Sequence, residues 1–464
     1  MKKSKMTRRN NQKIKRNILP AHIILLGFAL VIFLGSLILT LPVCSAEGTF
    51  TSYIDALFTS TTSVCVTGLV TVNTAGHWSL FGQIIILLLI QLGGMGVVAF
   101  MMMILVLLHR RIGLKSRILI QQSYGLESMN GLVHFVMRVI RGMLIVEFIG
   151  FLCYLPVLCH DYGTSGIWKS LFLSVSAFCN AGMDVLGDES LSPYAGNLWM
   201  NFVTMALIIL GGLGFIVWWE LLDRQKAYFS KKVTRRKLNN MSLHAKIVLS
   251  FTAFLIILGM VTVLVCEFDN SKTLGTFSFP KKCLAALFQS VTTRTAGFNT
   301  IPQSGLSDAT SMICMILMFI GGSPGGTAGG VKTVTIVILG AAIKSEIQNQ
   351  DNVVMYSRTI PFDYVRKALA ILGYSFLVWL GLTMVLCRVE DVEFMKACYE
   401  TISAIGTVGL SKDLTGTLHA AGKIVIICLM YAGRIGPVTL ATAFLTKGKA
   451  DSMIHYADES VLLG

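Results

Sequence analysis

Eight long apolar runs, separated by more polar segments, recur along this chain of 464 residues. The runs cover 18–41, 80–108, 132–158, 198–222, 247–266, 312–343, 369–387 and 424–445. Each run is near or above the roughly 20 residues that an α-helix needs to cross the hydrocarbon core of a bilayer. The pattern therefore predicts eight membrane-spanning helices.

Four shorter apolar segments lie between these runs, near 53–64, 166–178, 281–292 and 393–405. These segments are too short to cross a bilayer as helices. Backbone that enters a membrane without crossing it is tolerated where it is buried in protein or lines a watery path. We therefore expect four re-entrant half-helices.

A short motif recurs at the end of each half-helix. It consists of an aromatic residue, hydroxyl residues two and four positions later, and a closing glycine. The aromatic residues are Phe58, Phe172, Phe288 and Tyr399, and the glycines are Gly68, Gly182, Gly297 and Gly409. The glycines are 114, 115 and 112 residues apart, so the motif divides nearly the whole chain into four units of span, half-helix, loop and span.

The repeat predicts an all-α polytopic membrane protein with four parallel membrane–pore–membrane repeats around one central pore. The alternative is that each glycine only caps its own half-helix, which would not explain the repeated hydroxyls. The predicted units are a basic tail (1–17), four repeats (18–108, 109–222, 223–345 and 346–446) and a C-terminal tail (447–464).

Composition and charge indicate a membrane protein with a defined orientation. Hydrophobic residues make up 54% of the chain and charged residues 14%, and the mean hydropathy is +0.70. The net charge of +15 comes largely from basic residues in 1–17 and 223–246, which the positive-inside rule places in the cytoplasm. Lysines in the third outer loop weaken the contrast. We expect a multi-pass protein of the cell membrane that contacts lipid rather than nucleic acid, with both termini cytoplasmic.

The last residues of each motif copy are candidates for a selectivity filter. A cation that crosses a membrane exchanges its hydration shell for other oxygens, and rings of backbone carbonyls provide them in potassium channels. These residues are slim enough to run extended, and each half-helix directs the negative end of its dipole towards the ring. The candidates are Cys65, Val66, Thr67, Gly68, Cys179, Asn180, Ala181, Gly182, Arg294, Thr295, Ala296, Gly297, Gly406, Thr407, Val408 and Gly409.

The polar ends of the half-helices fit this arrangement, with one exception. Asp55 lies in the opening turn of the first half-helix, and Glu390, Asp391 and Glu393 lie near the start of the fourth. Pro280 suits the first turn of the third. The exception is the charge of Arg294 beside a cation path, and we expect its side chain to point away from the axis and bond carbonyls behind its strand.

Each second span contains a pair of small residues at a similar distance from the filter glycine. The first two pairs, Gly93-Gly94 and Gly211-Gly212, are typical of close helix packing. The third opens a stretch with six glycines and a proline in ten residues, where a helix would cost on the order of 9 kcal/mol relative to alanine. We expect a buried break here, either a gate across the conduction path or a passive kink.

The gate candidates combine this stretch with two nearby charges. Lys332 follows the loop, and Arg434 follows the fourth small pair, Ala432-Gly433. Either charge has the chemistry to anchor the loop or to raise a barrier to cations. The candidates are Gly321, Gly322, Ser323, Pro324, Gly325, Gly326, Thr327, Ala328, Gly329, Gly330, Lys332 and Arg434.

With these features the chain resembles the Trk/Ktr/HKT superfamily of potassium transporters, over nearly its whole length. The absence of further apolar runs before residue 18 favours the shorter Ktr branch. The resemblance implies K⁺ uptake, often with Na⁺ as activator, by a homodimer with a pore in each protomer. It also implies an intramembrane loop at 321–330 and a cytoplasmic nucleotide-binding ring of the KtrA type, which the tail 447–464 or the loop 223–246 would contact.

Two other function classes fit the sequence less well than transport through a pore. A membrane-embedded enzyme needs a convergent polar site, but the histidines scatter, the carboxylates avoid the span centres and no phosphate-binding loop is present. The eleven cysteines, without a Cys-x-x-Cys pair, are typical of small buried hydrophobic residues. A Na⁺-coupled carrier typically has inverted repeats, whereas repeats of two spans each run parallel. We expect no enzymatic activity and no metal beyond the transported K⁺.

Overall fold

The computed structural model describes residues 20–96, 99–100, 131–187, 189–229, 241–436 and 439–440. Both predicted tails lie outside these ranges, as do residues 230–240 of the basic loop 223–246. The described helices, numbered in chain order, are α1 Pro20–Leu39, α2 Tyr53–Cys65, α3 Thr74–His77, α4 Leu80–Met95, α5 Leu132–Tyr162, α6 Ser165–Cys179, α7 Leu198–Gly212, α8 Phe215–Phe229, α9 Leu243–Glu267, α10 Phe279–Thr292, α11 Asp308–Phe319, α12 Thr333–Ile347, α13 Phe362–Glu390, α14 Phe394–Gly406 and α15 Ala420–Ile435.

The first span of every repeat is one long apolar helix. In the described part of the chain, four helical stretches are long and apolar enough to cross a membrane: His22–Leu39, Val133–Tyr162, Leu243–Glu267 and Phe362–Glu390. They belong to α1, α5, α9 and α13, one for each repeat. The predicted fold class, an all-α polytopic membrane protein, is confirmed. A two-stranded antiparallel hairpin, β1 Val353–Met355 and β2 Arg358–Ile360, is a small addition between repeats 3 and 4.

The second spans differ from the prediction. The glycine pairs of the first two were expected to pack within continuous helices, but α4 ends at Met95, and α7 and α8 are bent by 102° at their junction. In the fourth, α15 ends at Ile435, close to the small pair Ala432-Gly433. The residues at these ends are Gly96, Gly214 and Gly436, with φ of 81°, 89° and 85°. Glycine enters this left-handed region without a Cβ penalty, so the backbone can leave the helix there. The prediction of continuous helices at 80–108 and 198–222 was therefore wrong.

The half-helices α2, α6, α10 and α14, called the pore helices below, lie at the centre of the fold. Each packs against the first span of its own repeat, α1, α5, α9 or α13. Each also contacts the second span of the preceding repeat: α4 touches α6, α7 touches α10, α11 touches α14, and α15 returns to α2. These contacts close the four repeats into a ring. The closing segments of the pore helices therefore meet at its centre.

Candidate functional site

The four motif glycines form a closed ring of backbone. A Cβ atom built on any of them would collide with a carbonyl oxygen of the next repeat. The pairs are Gly68 with Ala181 O (2.6 Å), Gly182 with Ala296 O (2.7 Å), Gly297 with Val408 O (2.5 Å) and Gly409 with Thr67 O. The ring therefore has no room for a side chain at these positions, and only glycine fits.

The strand before each glycine has the same unusual backbone conformation in all four repeats. The residue two positions before the glycine is left-handed: Val66 (φ 56°), Asn180 (φ 59°), Thr295 (φ 68°) and Thr407 (φ 51°). The glycines are also left-handed, with φ from 65° to 100°, while the residue between is outside this region. Such alternation turns successive carbonyl groups to the same side. Left-handed non-glycine residues cost energy and persist only where surrounding contacts enforce them.

The hydroxyl four positions after each aromatic residue supports the strand. Thr62 Oγ1 accepts a hydrogen bond from the N–H of Gly68 (2.9 Å), and Ser403 Oγ accepts one from Gly409 (3.0 Å). In the other two repeats the hydroxyl donates instead to the carbonyl after the glycine, from Ser176 to Met183 and from Thr292 to Phe298. The second hydroxyl of each motif copy therefore supports the strand that forms the ring.

The hydroxyl two positions after each aromatic residue ties the pore helix to the first span. In three repeats it donates to a backbone carbonyl: Ser60 to Ile32 (2.7 Å), Ser174 to Glu147 (2.6 Å) and Ser290 to Ile256 (2.8 Å). In the fourth, Thr401 bonds Thr383 Oγ1 (2.8 Å) and accepts from Trp379 Nε1 (3.1 Å).

Sequence reasoning missed three glycines that make this contact possible. Gly35, Gly150 and Gly259 lie three residues after the accepting carbonyls, and a Cβ on any of them would overlap the serine hydroxyl. The signal available in the sequence was that these three glycines occupy equivalent positions in the first spans of their repeats.

The candidate filter residues do not all belong to the extended strands. Cys65, Cys179 and Gly406 are the last residues of their pore helices, and Arg294 lies in a turn. The non-helical strand therefore begins one residue later than the sequence pattern predicts. The cause is that the pore helix continues until the left-handed residue ends it. The other twelve candidates follow the pore helices in non-helical backbone that converges on the ring.

The closing glycine follows the aromatic residue by nine positions in the third motif copy and by ten in the other three. This difference is absorbed between the pore helix and the strand. In the other repeats, the N–H before the glycine bonds a carbonyl five residues back, as in Thr67 to Thr62 (2.9 Å). In the third repeat, Ala296 bonds Thr292 (3.0 Å), only four residues back. Thr295 still takes the left-handed conformation. The shorter copy therefore delivers Gly297 to the same ring.

Arg294 is directed to the first span of its own repeat. It is 7% exposed, and its Nη1 lies 3.4 Å from the carbonyl oxygen of Thr252 on α9. No carboxylate pairs with it among the described residues, and its Nε has no hydrogen-bond partner there. The cavity beside it is also lined by Gly212 and Gly322, so Arg294 borders the loop of its repeat as well.

The loop 321–330 is largely buried and is held by the second span of repeat 2. The N–H groups of Ser323 and Thr327 donate to the carbonyls of Gly212 (2.9 Å) and Gly211 (3.0 Å). In return, the carbonyl of Gly325 accepts a hydrogen bond from the N–H of Phe215 (2.9 Å). The bend between α7 and α8 thus exposes backbone groups that bind the loop.

The loop also touches the strands that lead to the ring. Thr327 Oγ1 donates to the carbonyl of Phe178, near the end of pore helix α6 (3.2 Å). Gly329 lies against the side chain of Thr407, so closely that a Cβ there would overlap it. A Cβ on Gly330 would lie 3.4 Å from the Gly406 carbonyl oxygen. The loop therefore lies against the end of pore helix α6 in repeat 2 and against the strand of repeat 4.

Both candidate charges donate to loop carbonyls. Lys332 Nζ bonds the oxygens of Ala328 (2.7 Å) and Gly329 (3.3 Å). Arg434 donates through Nη1 to Thr327 O and through Nη2 to Gly93 O. Arg434 thus joins repeats 1, 3 and 4 at the level of the loop.

The acidic residues near the pore helices have different partners from those expected. Asp55 is in the first turn of α2 as predicted, but it also forms an ion pair with Lys423 (2.7 Å). Glu390 ends α13 and accepts hydrogen bonds from the backbone N–H of His419 and Gly422 at the start of α15. It caps α15 rather than the fourth pore helix, because the chain turns away at the left-handed Asp391.

Two carboxylates are buried within apolar segments, and one of them, Glu147, lies at the centre of the span α5, contrary to the expectation that carboxylates avoid the span centres. Glu147, 4% exposed on α5, accepts from Gln91 Nε2 at both oxygens (3.0 and 3.1 Å). Glu400 is fully buried on pore helix α14. Each was hidden in the sequence by the apolar run around it, and each is held by uncharged polar partners.

Comparisons with known proteins agree with this arrangement. The family model described as TrkH, cation transport protein, matches residues 2–456. The chain is 37% identical over 461 residues to the potassium/sodium uptake protein NtpJ of Enterococcus hirae, covering 98% of this chain and 99% of that protein. It is 35% identical over 447 residues to Ktr system potassium uptake protein B of Bacillus subtilis, covering 96% and 97%. The crystal structure of the potassium transporter TrkH from Vibrio parahaemolyticus matches with a TM-score of 0.72 at 18% identity, covering 95% and 87% of the two chains, which shows a shared fold.

Proposed function

This chain belongs to the TrkH family of cation transport proteins, and on that premise we propose that it takes up potassium ions across the cell membrane through the ring of four glycines. The membership confirms the resemblance drawn from the motifs, and the near full-length similarity to Ktr system potassium uptake protein B agrees with the shorter branch of that group. The family is one of transporters, so the chain is not an enzyme.

One observation carries the proposal: four equivalent strands bring their carbonyl oxygens together in a closed ring that admits no side chain. A dehydrated potassium ion needs several oxygens at once, and such a ring offers them from all sides. Each pore helix also ends beside the ring, so four negative dipole ends favour a cation there. The candidate filter consists of the strands 66–68, 180–182, 295–297 and 407–409.

The loop 321–330 is the proposed gate. Its contacts with Phe178 and Thr407 put it beneath the ring, where an ion leaving the filter would meet it. Its glycines give it many backbone conformations, and its anchors are hydrogen bonds rather than apolar packing. In this proposal Lys332 and Arg434 hold the loop closed, and movement of the loop opens the path.

Further parts of the proposal come from the relatives and from charge placement. The printed name of the Enterococcus protein includes both potassium and sodium, which supports Na⁺ as an activator or a second transported ion. The basic segments 1–17 and 223–246 support cytoplasmic termini. Assembly as a homodimer with a cytoplasmic nucleotide-binding ring is proposed by likeness to the Ktr system.

The test is ⁸⁶Rb⁺ uptake into proteoliposomes, with K⁺, Na⁺ and Li⁺ as competitors. Gly297→Ser puts a Cβ 2.5 Å from Val408 O and 2.9 Å from the Cα of Gly182, so the ring must open to admit it. Wild type should prefer K⁺, and the variant should lose that preference.

The matched control for this test is Gly48→Ser. Gly48 also has a positive φ, of 70°, but nothing lies within 4 Å of its Cβ position. The control carries similar backbone strain away from the ring and should keep the K⁺ preference. Equal competition profiles for Gly297→Ser and wild type would refute the filter.

A further inference from the structure

Glu400 is a buried carboxylate directly behind the fourth filter strand. It follows Tyr399, the aromatic residue of the fourth motif copy, and is fully buried. Its carboxylate accepts hydrogen bonds from Ser411 Oγ (2.7 Å) and from Thr415 Oγ1. These two residues lie in the segment that leaves the ring after Gly409. Glu400 therefore connects the pore helix to the outer continuation of its own filter strand.

A buried carboxylate is costly unless it is well hydrogen-bonded, and an ionisable group at membrane depth suggests a functional role. Among the described residues no lysine, arginine or histidine forms an ion pair with Glu400. Ser411 Oγ in turn accepts from the backbone N–H of Leu414 (3.2 Å). The carboxylate thus orders the segment 411–415 through its hydroxyl partners.

Repeat 3 has an uncharged version of the same connection. Gln289 follows the aromatic residue Phe288, and Gln303 lies six residues after Gly297, as Thr415 does after Gly409. The two glutamines bond each other in both directions, at 2.8 and 3.0 Å, and both are buried. The positions that follow the aromatic residue in repeats 1 and 2 carry Thr59 and Leu173. The connection therefore distinguishes repeats 3 and 4.

A tyrosine joins the two connections. Tyr399 Oη, fully buried, donates to Gln303 Oε1 (2.9 Å). Gln303 also donates to the carbonyl of Ile301, four residues after Gly297 (3.0 Å). We call this connected set the outer brace; its members are Gln289, Gln303, Tyr399, Glu400, Ser411 and Thr415.

We propose that the outer brace positions the outer ends of the third and fourth filter strands, and that Glu400 is a positioning residue for discrimination between K⁺ and Na⁺. The inference rests on the proposed function of the ring. Discrimination depends on where the carbonyl oxygens are held, and glycine strands have little stiffness of their own. Hydrogen bonds to a carboxylate are about twice as strong as neutral ones, so Glu400 contributes strongly to this support.

The test measures the ratio of the Na⁺ and K⁺ concentrations that halve ⁸⁶Rb⁺ uptake in proteoliposomes. Thr415→Val keeps the side-chain shape but removes one donor to Glu400, and we expect the ratio to fall about tenfold, as for one charge-assisted hydrogen bond. Thr417→Val is the matched control, because Thr417 is exposed in the same segment and bonds only the nearby Leu414 carbonyl (2.8 Å). The control should keep the wild-type ratio.

Variants of Glu400 test the carboxylate itself. Glu400→Leu should lower the ratio at least as much as Thr415→Val. Glu400→Gln can still accept from one hydroxyl and donate to the other, but through neutral bonds, so it should lower the ratio less than Glu400→Leu does. Tyr399→Phe removes the link between repeats 3 and 4 and should lower the ratio in the same direction. Thr415→Val and Tyr399→Phe change only a terminal group, so they carry the test if Glu400→Leu does not fold.

The outcomes separate this inference from the proposed function. If Gly297→Ser changes the ratio while Thr415→Val and Tyr399→Phe do not, the ring is a filter but the outer brace only stabilises the fold, and the inference is overturned. If Gly297→Ser also leaves the ratio unchanged, the proposed filter is itself refuted. A fall in maximal uptake with an unchanged ratio likewise contradicts a role in discrimination.

Discussion

Thr327 anchors the loop 321–330 to several parts of the molecule, and its hydroxyl makes one bond that can be removed alone. Its N–H donates to the Gly211 carbonyl (3.0 Å), its carbonyl accepts from Arg434, and its Oγ1 donates to the Phe178 carbonyl (3.2 Å). Thr327→Val replaces the hydroxyl by a methyl group of similar size. The backbone anchors remain, so the exchange weakens the proposed closed state without adding bulk.

The expected magnitude follows from the lost bond. Thr327 is fully buried, so the Phe178 carbonyl loses its donor in a place that water does not reach. Such a loss costs about 1–3 kcal/mol. If the loop is the gate, the ratio of open to closed protein rises by roughly 5- to 150-fold. The initial rate of ⁸⁶Rb⁺ uptake into proteoliposomes without regulators should rise accordingly, until the open state predominates.

Two control variants make this prediction sharp. Thr327→Ser keeps the hydroxyl and should retain the wild-type rate. Thr335→Val makes the same exchange at a buried position in α12, outside the loop, and should also retain it. A deletion within 321–330 should raise the rate further. A wild-type rate for both Thr327→Val and a well-folded deletion would refute the gating role of the loop.

Two further predictions concern the scaffold around the ring. Gly259→Ala should lower the free energy of unfolding by about 1–3 kcal/mol, because its Cβ would overlap Ser290 Oγ, whereas Gly381→Ala, with nothing within 4 Å, should not destabilise. Thermal unfolding in detergent measures both, and equal midpoints would contradict the packing argument. Glu390→Gln should destabilise by about 1 kcal/mol by weakening the cap of α15, while Glu393→Gln, whose side chain caps nothing, should be neutral. A larger loss of stability for Glu393→Gln than for Glu390→Gln would contradict the capping role of Glu390.

Much of the architecture was predictable because it depends on local patterns. Apolar runs of roughly 20 residues or more indicate spans, and shorter apolar runs indicate half-helices, as α5 and α6 illustrate. The break at 321–330 was predictable because six glycines and a proline make a helix too costly there. The register of aromatic residue, hydroxyls and glycine predicted four equivalent strands, since equivalent sequences fold into equivalent local structure.

Other features depend on residues far apart in the chain and were not predictable. The breaks at Gly96, Gly214 and Gly436 have fewer glycines than the third, and only the last is followed by a proline, Pro437. Each becomes favourable only where the freed backbone finds partners, as Phe215 N finds Gly325 O. The buried Glu400 shows the same limit, since its partners Ser411 and Thr415 follow the ring rather than the apolar run that contains it.

The sequence by itself determined that this is a membrane protein of four similar units, each with a span, a half-helix and a glycine-ended strand. These features can be recognised from the sequence because burial in lipid and helix length both depend on runs of consecutive residues. Only the tertiary structure decided that the last repeat closes on the first, that the hydroxyls support the strands, and that repeats 3 and 4 share a polar brace. These depend on hydrogen bonds between distant segments, whose geometry exists only once the four repeats have closed into a ring.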